Sequence, residues 1–469
     1  RSSMLMRKGE DFTKRYRDNR YAIYVPSLQS GYAQYATRQN KDVRDGDLPS
    51  SFRVRDLDFL DSKSQLWSCA YTLYSSGQFD KAQLRNADMI RDRKRGQSVI
   101  IGDSGGFQLG TGVIKNKDEQ KALNHLATNP SKFVAQWKDV GFRRRTLRWL
   151  EMYTDYAMTL DMVLWGSKEA NKDSKSVLRN LSVDQLIDLS IDNLKYFSDN
   201  RGQVSGGGTK FLNVLQDIGN GTGERWYQAV KDFEFEGWAY GGSTKLLHNL
   251  LRWCHRLMRE NKLDNAEWFH LLQNSPPVFS VVYTAIQQAL SKALGHDITI
   301  SYDSSSPHQG SGVQRAMYKI PTFTNDLRTW RMGNERIEQN VQLARGDIQK
   351  SLPSDSPLSA FFTLNDLNFH DGLYRDNTVD QFAEHLMTNH NIYVYHKAAL
   401  DSCDLVFKNR TSNDQVPTEL DDFVAMMETF FQKDDCEKQL ADNASLLATL
   451  GRYQQSDDDQ SASSSSTAS

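Results

Sequence analysis

The chain has 469 residues, and its 57 lysines and arginines nearly balance its 59 aspartates and glutamates. This length predicts two to three domains, or one large barrel with an appendage. The net charge of −2 excludes a protein that is basic throughout, although it leaves room for a local basic groove. No apolar run approaches the roughly 18 residues of a transmembrane helix, so we expect none.

Cysteine usage and the charged start of the chain both indicate a reducing compartment, and we expect a cytoplasmic protein. The first ten residues lack the apolar stretch of a signal peptide. The cysteines are far apart and never form a CxxC pair, so neither a disulfide framework nor a cysteine-rich zinc module is predicted. They are Cys69, Cys254, Cys403 and Cys436.

Short apolar runs alternate with helical segments along the first 300 residues. In chain order the candidate strands are residues 21–25, 66–73, 98–101, 156–160, 211–216, 237–240, 267–272 and 297–302. A helix predicted within residues 181–197 opens with a capping-box pair, Ser182 and Gln185. From residue 211 onward the strands begin roughly 25–31 residues apart, which is the period of βα units.

Eight such units predict an α/β fold, a TIM (β/α)8 barrel with insertions. A doubly wound open sheet would show a similar alternation, but the G-x-G-x-x-G fingerprint is missing and the units are too many. We therefore assign residues 1–350 to a catalytic barrel and residues 351–453 to a mixed, mainly helical C-terminal appendage. Residues 454–469 hold no apolar residue larger than Ala and are predicted to be a disordered tail.

Three aspartates, Asp103, Asp161 and Asp303, each follow or end a predicted strand. In a barrel the carboxyl ends of the strands meet at one mouth, so these carboxyl groups are expected to converge. Converging carboxylates suit a reaction in which one attacks a sugar carbon and another moves protons. For any single aspartate, the alternative that it only caps the following helix stays open.

The first of these aspartates opens the segment Asp-Ser-Gly-Gly-Phe-Gln, residues 103–108. Gly105 and Gly106 let the backbone approach a flat ligand, and Phe107 offers a ring for stacking on a base. This segment resembles the tRNA-guanine transglycosylase family, whose members exchange guanine for a 7-deazaguanine without breaking the nucleic-acid backbone.

Four later segments resemble the same family in order and spacing, within residues 98–312. They are Asp161 after Tyr-Ala-Met-Thr-Leu, Gln216 after Phe-Leu-Asn-Val-Leu, Gly241 and Gly242 after Glu-Gly-Trp-Ala-Tyr, and Asp303 after Ile-Thr-Ile-Ser-Tyr with Pro307 following. Five motifs in register make the resemblance specific, although it covers a little under half of the chain.

The resemblance implies a role for each motif. Asp303 would attack C1′ of the nucleotide and expel guanine, leaving a covalent glycosyl–enzyme intermediate, and Asp103 would protonate the leaving base. Two displacements at C1′ would retain its configuration. The residues that would bind the heterocycle are Ser104, Gly105, Gly106, Phe107, Asp161, Gln216, Gly241 and Gly242.

Two departures from the family pattern favour its DNA-acting branch, which is found in bacteriophages and bacterial DNA-modification islands. The family's zinc-binding C-x-C-x-x-C cluster and later histidine have no match, so no cofactor is predicted. After the nucleophile, residues 307–312 replace an arginine-bearing stretch that helps to read the anticodon loop. Other side chains that could bind a metal are His370, His385, His390, His396 and Cys403. Their spacing matches no known metal site, and they are better explained as solvated or core side chains.

The sequence therefore predicts insertion of a preQ0-like 7-deazaguanine into DNA, in the host cytoplasm if the chain is phage-encoded. A tRNA-acting enzyme, a non-catalytic partner subunit and an unrelated barrel hydrolase are the alternatives. A homodimer, common in the family, is one expected assembly. Two basic clusters are assigned to phosphate binding, although a solvated charged face would look the same. They comprise Arg93, Lys94, Arg95, Arg143, Arg144 and Arg145.

Overall fold

The computed structural model describes residues 8–37, 46, 48–49, 51–78, 88–139, 141–170, 175–204, 206–241, 247–337, 352, 356–368, 381–408 and 415–465. Side chains are described up to Gln454. Two residues of the sequence-based predictions, Gly242 and His370, lie outside these ranges.

Strands and helices alternate through the described part of the chain. The strands are β1 (Glu10–Asp11), β2 (Ile23–Pro26), β3 (Trp67–Ser68), β4 (Tyr71–Ser75), β5 (Val99–Asp103), β6 (Tyr156–Met158), β7 (Lys210–Leu215), β8 (Gly237–Tyr240), β9 (Trp268–Leu271), β10 (Thr299–Ser304), β11 (Ala316–Lys319) and β12 (Gly333–Arg336). The helices are α1 (Thr13–Asn19), α2 (Ser30–Tyr35), α3 (Gly106–Thr111), α4 (Lys117–Ala127), α5 (Pro130–Gln136), α6 (Phe142–Tyr153), α7 (Val183–Asn200), α8 (Thr222–Val230), α9 (Leu247–Arg259), α10 (Val278–Leu294), α11 (Ser306–Gly312), α12 (Gln381–Phe407), α13 (Thr418–Phe430), α14 (Cys436–Asp442) and α15 (Ala444–Ser465).

Eight of the described strands form one parallel sheet in the order β2-β10-β9-β8-β7-β6-β5-β4. Its two edge strands also meet. Just beyond β2, Ser27 forms a parallel bridge with Leu73 of β4, and the Thr72 hydroxyl donates to the Pro26 carbonyl at 2.8 Å. The sheet is therefore a nearly closed barrel flanked by helices, which confirms the predicted α/β barrel.

The prediction of one strand at residues 66–73 is wrong in detail, because two strands occur there. β3 pairs with β1 outside the barrel, and β4 belongs to the barrel. Between them, the backbone N–H of Cys69 donates to the Phe59 carbonyl at 2.8 Å, and that of Ala70 donates to Thr13 Oγ1 at 2.9 Å. These two amides bind partners outside the barrel, so the ladder is interrupted.

The helical layer follows the sequence pattern closely. The predicted capping box at the start of α7 is present: Ser182 Oγ accepts from the Gln185 amide at 3.1 Å, and Gln185 Oε1 accepts from the Ser182 amide at 2.9 Å. Each bond satisfies an amide that the first helical turn leaves without a partner. α10 buries most of its residues between β10 and the C-terminal helices α12 and α13, as its nearly continuous apolar sequence predicts.

The long helix α12 packs against α10, α11 and β2. Trp67 Nε1 donates to Asn389 Oδ1 at 2.8 Å, and Tyr16 Oη lies 2.8 Å from His396 Nδ1. Residues after the predicted boundary at 350 therefore join the same hydrophobic core as the barrel strands. The last helix, α15, extends to Ser465, through most of the segment predicted to be a disordered tail.

Three of the histidines considered as metal ligands, His385, His390 and His396, are buried residues of α12. His385 packs on the ring of Tyr35 with 4.6 Å between centroids, and burial lowers the pKa of His385 to about 4 and that of His396 to about 3. His390 Nε2 lies 2.7 Å from the Tyr318 carbonyl oxygen, and Cys403 is buried in the core. Across the described residues, no three His, Cys, Asp or Glu side chains are grouped to hold a metal ion. No described helix combines the length and apolar character needed to cross a membrane.

Candidate functional site

The three predicted aspartates lie at the carboxyl ends of barrel strands. Asp103 is the last residue of β5, Asp161 follows β6 by three residues, and Asp303 is the penultimate residue of β10. All eight strands run parallel, so these three positions share one mouth of the barrel. Charge interactions link Asp103 to both of the others, which indicates that the carboxyl groups converge there.

A tight turn after β5 positions Asp103. Its Oδ1 accepts a hydrogen bond from the Gly105 amide at 3.1 Å. Gly105 has a φ of +88°, and a Cβ there would lie 3.2 Å from the backbone nitrogen of Gly77. The left-handed conformation and the short distance to Gly77 both favour glycine at position 105.

Gly106, the next residue, opens α3 against Asp161. A Cβ on Gly106 would lie 3.2 Å from the Asp161 carbonyl oxygen and 3.3 Å from its Oδ1. The absence of a side chain at Gly106 therefore allows the segment after β6 to approach the segment after β5.

Gln216, directly after β7, holds Asp161 from the other side. Its Nε2 donates to Asp161 Oδ2 at 2.5 Å and to the Met162 carbonyl at 3.2 Å, while its Oε1 accepts from the Leu164 amide at 2.9 Å. The Gln216 side chain is buried. All of its amide groups are therefore used to fix the loop that carries Asp161.

Burial changes the acidity of two of the aspartates. Burial, with a further contribution from the nearby Asp303, raises the pKa of Asp103 to about 6, while the hydrogen bond from Gly105 acts in the opposite direction. Burial together with the charge of Asp103 raises the pKa of Asp161 to about 7. Both carboxyl groups can therefore exchange a proton near neutral pH.

Asp303 is almost fully buried and is held by His270, a residue that the sequence analysis missed. His270 Nε2 lies 2.9 Å from Asp303 Oδ1, and the Gln273 amide donates to the same oxygen at 3.2 Å. His270 stands inside the apolar run Trp-Phe-His-Leu of β9 and has no exposed surface. A polar residue in a wholly buried strand was the only sequence signal of its role.

The other predicted base-binding residues differ in exposure and in the hydrogen-bonding groups that they have left for a ligand. Phe107 is 49 % exposed, and its ring centroid is 5.9 Å from that of Trp165. Ser104 is buried, and its hydroxyl has no hydrogen-bond partner within the described part of the chain. The Gly241 amide already donates to the Leu215 carbonyl at 3.0 Å, so this N–H is not available to a ligand.

The first basic cluster lies at the end of the barrel opposite the aspartates, because it precedes β5. The Arg93 side chain is 4 % exposed and forms an ion pair with Asp155 at 2.8 Å. Arg95 donates to the Thr154 carbonyl at 2.6 Å, at the C-terminal end of α6, and Lys94 between them is exposed. The structure therefore does not bring this cluster to the mouth.

The second basic cluster forms the first turn of α6. The last turn of α6 leads into the start of β6, so its first turn lies toward the mouth of the barrel. Arg143 stacks on the Tyr196 ring at 4.4 Å, Arg145 forms an ion pair with Glu119, and Arg144 is exposed. Of the three, Arg144 is the most accessible to a phosphate group.

Comparison of the chain with protein-family models and with curated proteins found no match in either.

Proposed function

We propose that the protein is a base-exchange glycosyltransferase that replaces guanine in DNA with a 7-deazaguanine such as preQ0, through a covalent intermediate on Asp303. The observation that carries this proposal is the convergence of Asp103, Asp161 and Asp303 at one mouth of a parallel barrel. Their environments differ as three different roles require, since two have raised pKa values and the third is held by two hydrogen-bond donors.

In the first step a carboxylate oxygen of Asp303 attacks C1′ of the target nucleotide. The bond between C1′ and the base breaks, its electron pair leaves with the base, and Asp103 supplies a proton to that base. The incoming base then gives a proton to Asp103 and displaces Asp303 from C1′. Each displacement inverts C1′, so two of them retain its configuration.

The raised pKa of Asp103 supports this proton transfer. A group that must donate a proton in one half-reaction and accept it in the other works best with a pKa near the working pH. An exposed aspartate would be almost wholly ionised at neutral pH and would rarely hold the proton to be donated. Burial near Asp303 reduces this limitation, because it raises the pKa of Asp103 to about 6.

Asp161 is suited to recognise the edge of the heterocycle. Near its pKa of about 7, the Asp161 carboxyl group can donate or accept a hydrogen bond. Gln216 fixes its orientation. The target base must leave its stack to reach the mouth, at a cost of a few kcal/mol, and stacking on the half-exposed Phe107 would offset part of that cost.

The charge distribution favours a nucleic acid over a small glycoside as substrate. Residues 106–153, from the start of α3 to the end of α6, hold nine Lys and Arg against four Asp and Glu, a formal charge of +5. The rest of the chain, taken from the total of −2, carries −7. Cations beside the site bind phosphates without regard to base sequence. Those exposed in this segment are Lys115, Lys117, Lys121, Lys132, Lys138, Arg144 and Arg148.

The test is base exchange by the purified full chain. Labelled guanine and labelled preQ0 are offered with duplex DNA, single-stranded DNA or bulk tRNA, and Asp303→Ala serves as the control. We expect label to enter DNA, and we expect neither exchange nor a covalent protein–DNA species with Asp303→Ala.

The other outcomes separate the alternatives. Label in tRNA alone would assign the same chemistry to the other nucleic acid. Free guanine released without incorporation would indicate a hydrolase. No label anywhere would indicate a non-catalytic subunit, and exchange by Asp303→Ala would exclude this residue as the nucleophile.

A further inference from the structure

A chain of buried hydrogen bonds leads from Trp268 to the proposed nucleophile. The Trp268 Nε1 donates to Ser301 Oγ at 2.7 Å, and Ser301 Oγ lies 2.7 Å from His270 Nδ1. His270 Nε2 in turn lies 2.9 Å from Asp303 Oδ1. Ser301 and His270 have no exposed surface, so these contacts form away from solvent. We name Ser301 and His270 together the relay.

The direction of these hydrogen bonds follows from the indole group. An indole N–H can only donate, so Ser301 Oγ accepts from Trp268 and its own hydrogen is available to His270 Nδ1. If Nδ1 also carried a proton, the Ser301 hydrogen would have no acceptor within the described part of the chain. His270 is therefore a neutral imidazole whose proton is on Nε2, and Nε2 donates to Asp303 Oδ1.

Both hydrogen bonds that described residues donate to the Asp303 carboxyl group end on Oδ1. The second donor is the backbone N–H of Gln273, whose φ of +62° lies in the left-handed region that side chains disfavour. Within the described residues, Oδ2 accepts no hydrogen bond. Among these residues, one oxygen is held in place and the other is left to a substrate.

We infer that His270 is a positioning residue that, through Nε2–H, holds Asp303 so that Oδ2 is the atom that attacks C1′. This inference rests on the proposed function, because it assigns the attacking oxygen of that reaction. When Oδ2 bonds to C1′, Oδ1 becomes the carbonyl oxygen of the ester and keeps both donors. When the incoming base bonds to C1′, the bond from C1′ to Oδ2 breaks, its electron pair returns to the carboxylate, and the donors on Oδ1 stabilise that charge.

A pair of substitutions keeps or removes the donor. A glutamine amide nitrogen can take the place of Nε2, whereas the shorter asparagine reaches only the place of Nδ1. We expect His270→Asn to lower kcat for exchange on DNA roughly 100-fold with little change in KM, since losing one preorganised donor costs on the order of 10²–10³. His270→Gln should stay within about tenfold of the unmodified protein. Equal losses in the two folded variants, or no loss in either, would overturn the positioning role.

A second measurement determines which ring nitrogen of His270 carries the proton, and it requires no reaction. With nitrogen-15 histidine incorporated, and His270→Gln used to assign the signals, we expect Nε2 of His270 to be protonated and Nδ1 to be unprotonated. Ser301→Ala should weaken this preference. A proton on Nδ1 in the unmodified protein would overturn the relay, whatever the activity. A proton on Nε2 together with no exchange on DNA or tRNA would instead reject the proposed function and leave the hydrogen-bonded arrangement standing.

Discussion

Gln216 donates from Nε2 to Oδ2 of Asp161 at 2.5 Å, and the orientation of its amide is set by Leu164, whose backbone N–H is bound by Oε1. An N–H donor at Oε1 leaves the NH2 group facing Asp161. One oxygen of Asp161 is therefore occupied by the protein, and the other, Oδ1, lies beside Gly106.

Replacing Gln216 by Ala should weaken base binding more than catalysis. The substitution leaves Asp161 Oδ2 and the Leu164 amide without their partner, and an unsatisfied buried polar group costs about 1–3 kcal/mol. We expect the KM for preQ0 to rise roughly tenfold or more with a smaller change in kcat, since 1.4 kcal/mol is a factor of ten in affinity. Gln228→Ala, on the outer helix α8, is the control and should leave KM unchanged. A roughly tenfold fall in kcat with an unchanged KM would argue against a binding role.

Asp161→Asn should stabilise the fold at alkaline pH. The pKa of Asp161 is about 7 in the folded protein and about 4 when unfolded, so between these values the folded state binds more protons and wild-type stability falls as pH rises. Asparagine does not ionise and avoids this loss. We expect equal stability below pH 4 and a variant advantage on the order of 2–4 kcal/mol at pH 8. Denaturant unfolding across this range measures it, and a difference that does not change with pH would contradict the assignment.

Gly106→Ala should disturb the site with a limited effect on stability. The added methyl group would press on the Asp161 carbonyl oxygen, on its Oδ1 and on Val163, each 3.2–3.3 Å away. We expect base exchange to fall at least tenfold while the melting temperature drops by only a few degrees. Gly31→Ala is the matched control, because a Cβ on Gly31 in α2 meets nothing within 4 Å. Full activity in Gly106→Ala would mean that the contact with Asp161 does not matter.

The two basic clusters should respond differently to substitution. Arg144→Ala with Arg148→Ala should weaken DNA binding and reduce the salt dependence of the binding constant, by about 0.9 in the log–log slope for each phosphate that the variant no longer neutralises. Arg93→Ala should instead destabilise the fold, by about 1–3 kcal/mol, because it removes the buried partner of Asp155, which keeps only a longer ion pair with Arg95 and the hydrogen bond from the Ile100 amide. DNA-binding titrations at several salt concentrations measure the first effect, and thermal unfolding measures the second. A changed salt slope in a folded Arg93→Ala protein would place that cluster on DNA after all.

Most strands and helices of the barrel could be predicted from the local sequence pattern. Asp103, Gln216 and Asp303 lie where the apolar runs stop, because a buried parallel strand is a nearly continuous apolar run and its end is marked by the first polar residues after it. The capping box at Ser182 and the apolar stretch of α10 are equally local. The break between β3 and β4 could not be predicted from local pattern, since the partners of its amides are Phe59, in an earlier turn, and Thr13, at the start of α1.

The alternation of strands and helices and the order of the polar strand ends follow from local sequence pattern. Which charged and polar groups work together depends on contacts that form when the chain folds. Arg93 and Arg144 look alike in a run of basic residues, but one precedes a strand and pairs with Asp155, while the other begins a helix and stays exposed. His270 meets Asp303 only because β9 and β10 pair in register. Local patterns depend on neighbours along the chain, whereas burial and hydrogen-bond partners depend on groups that folding alone brings together.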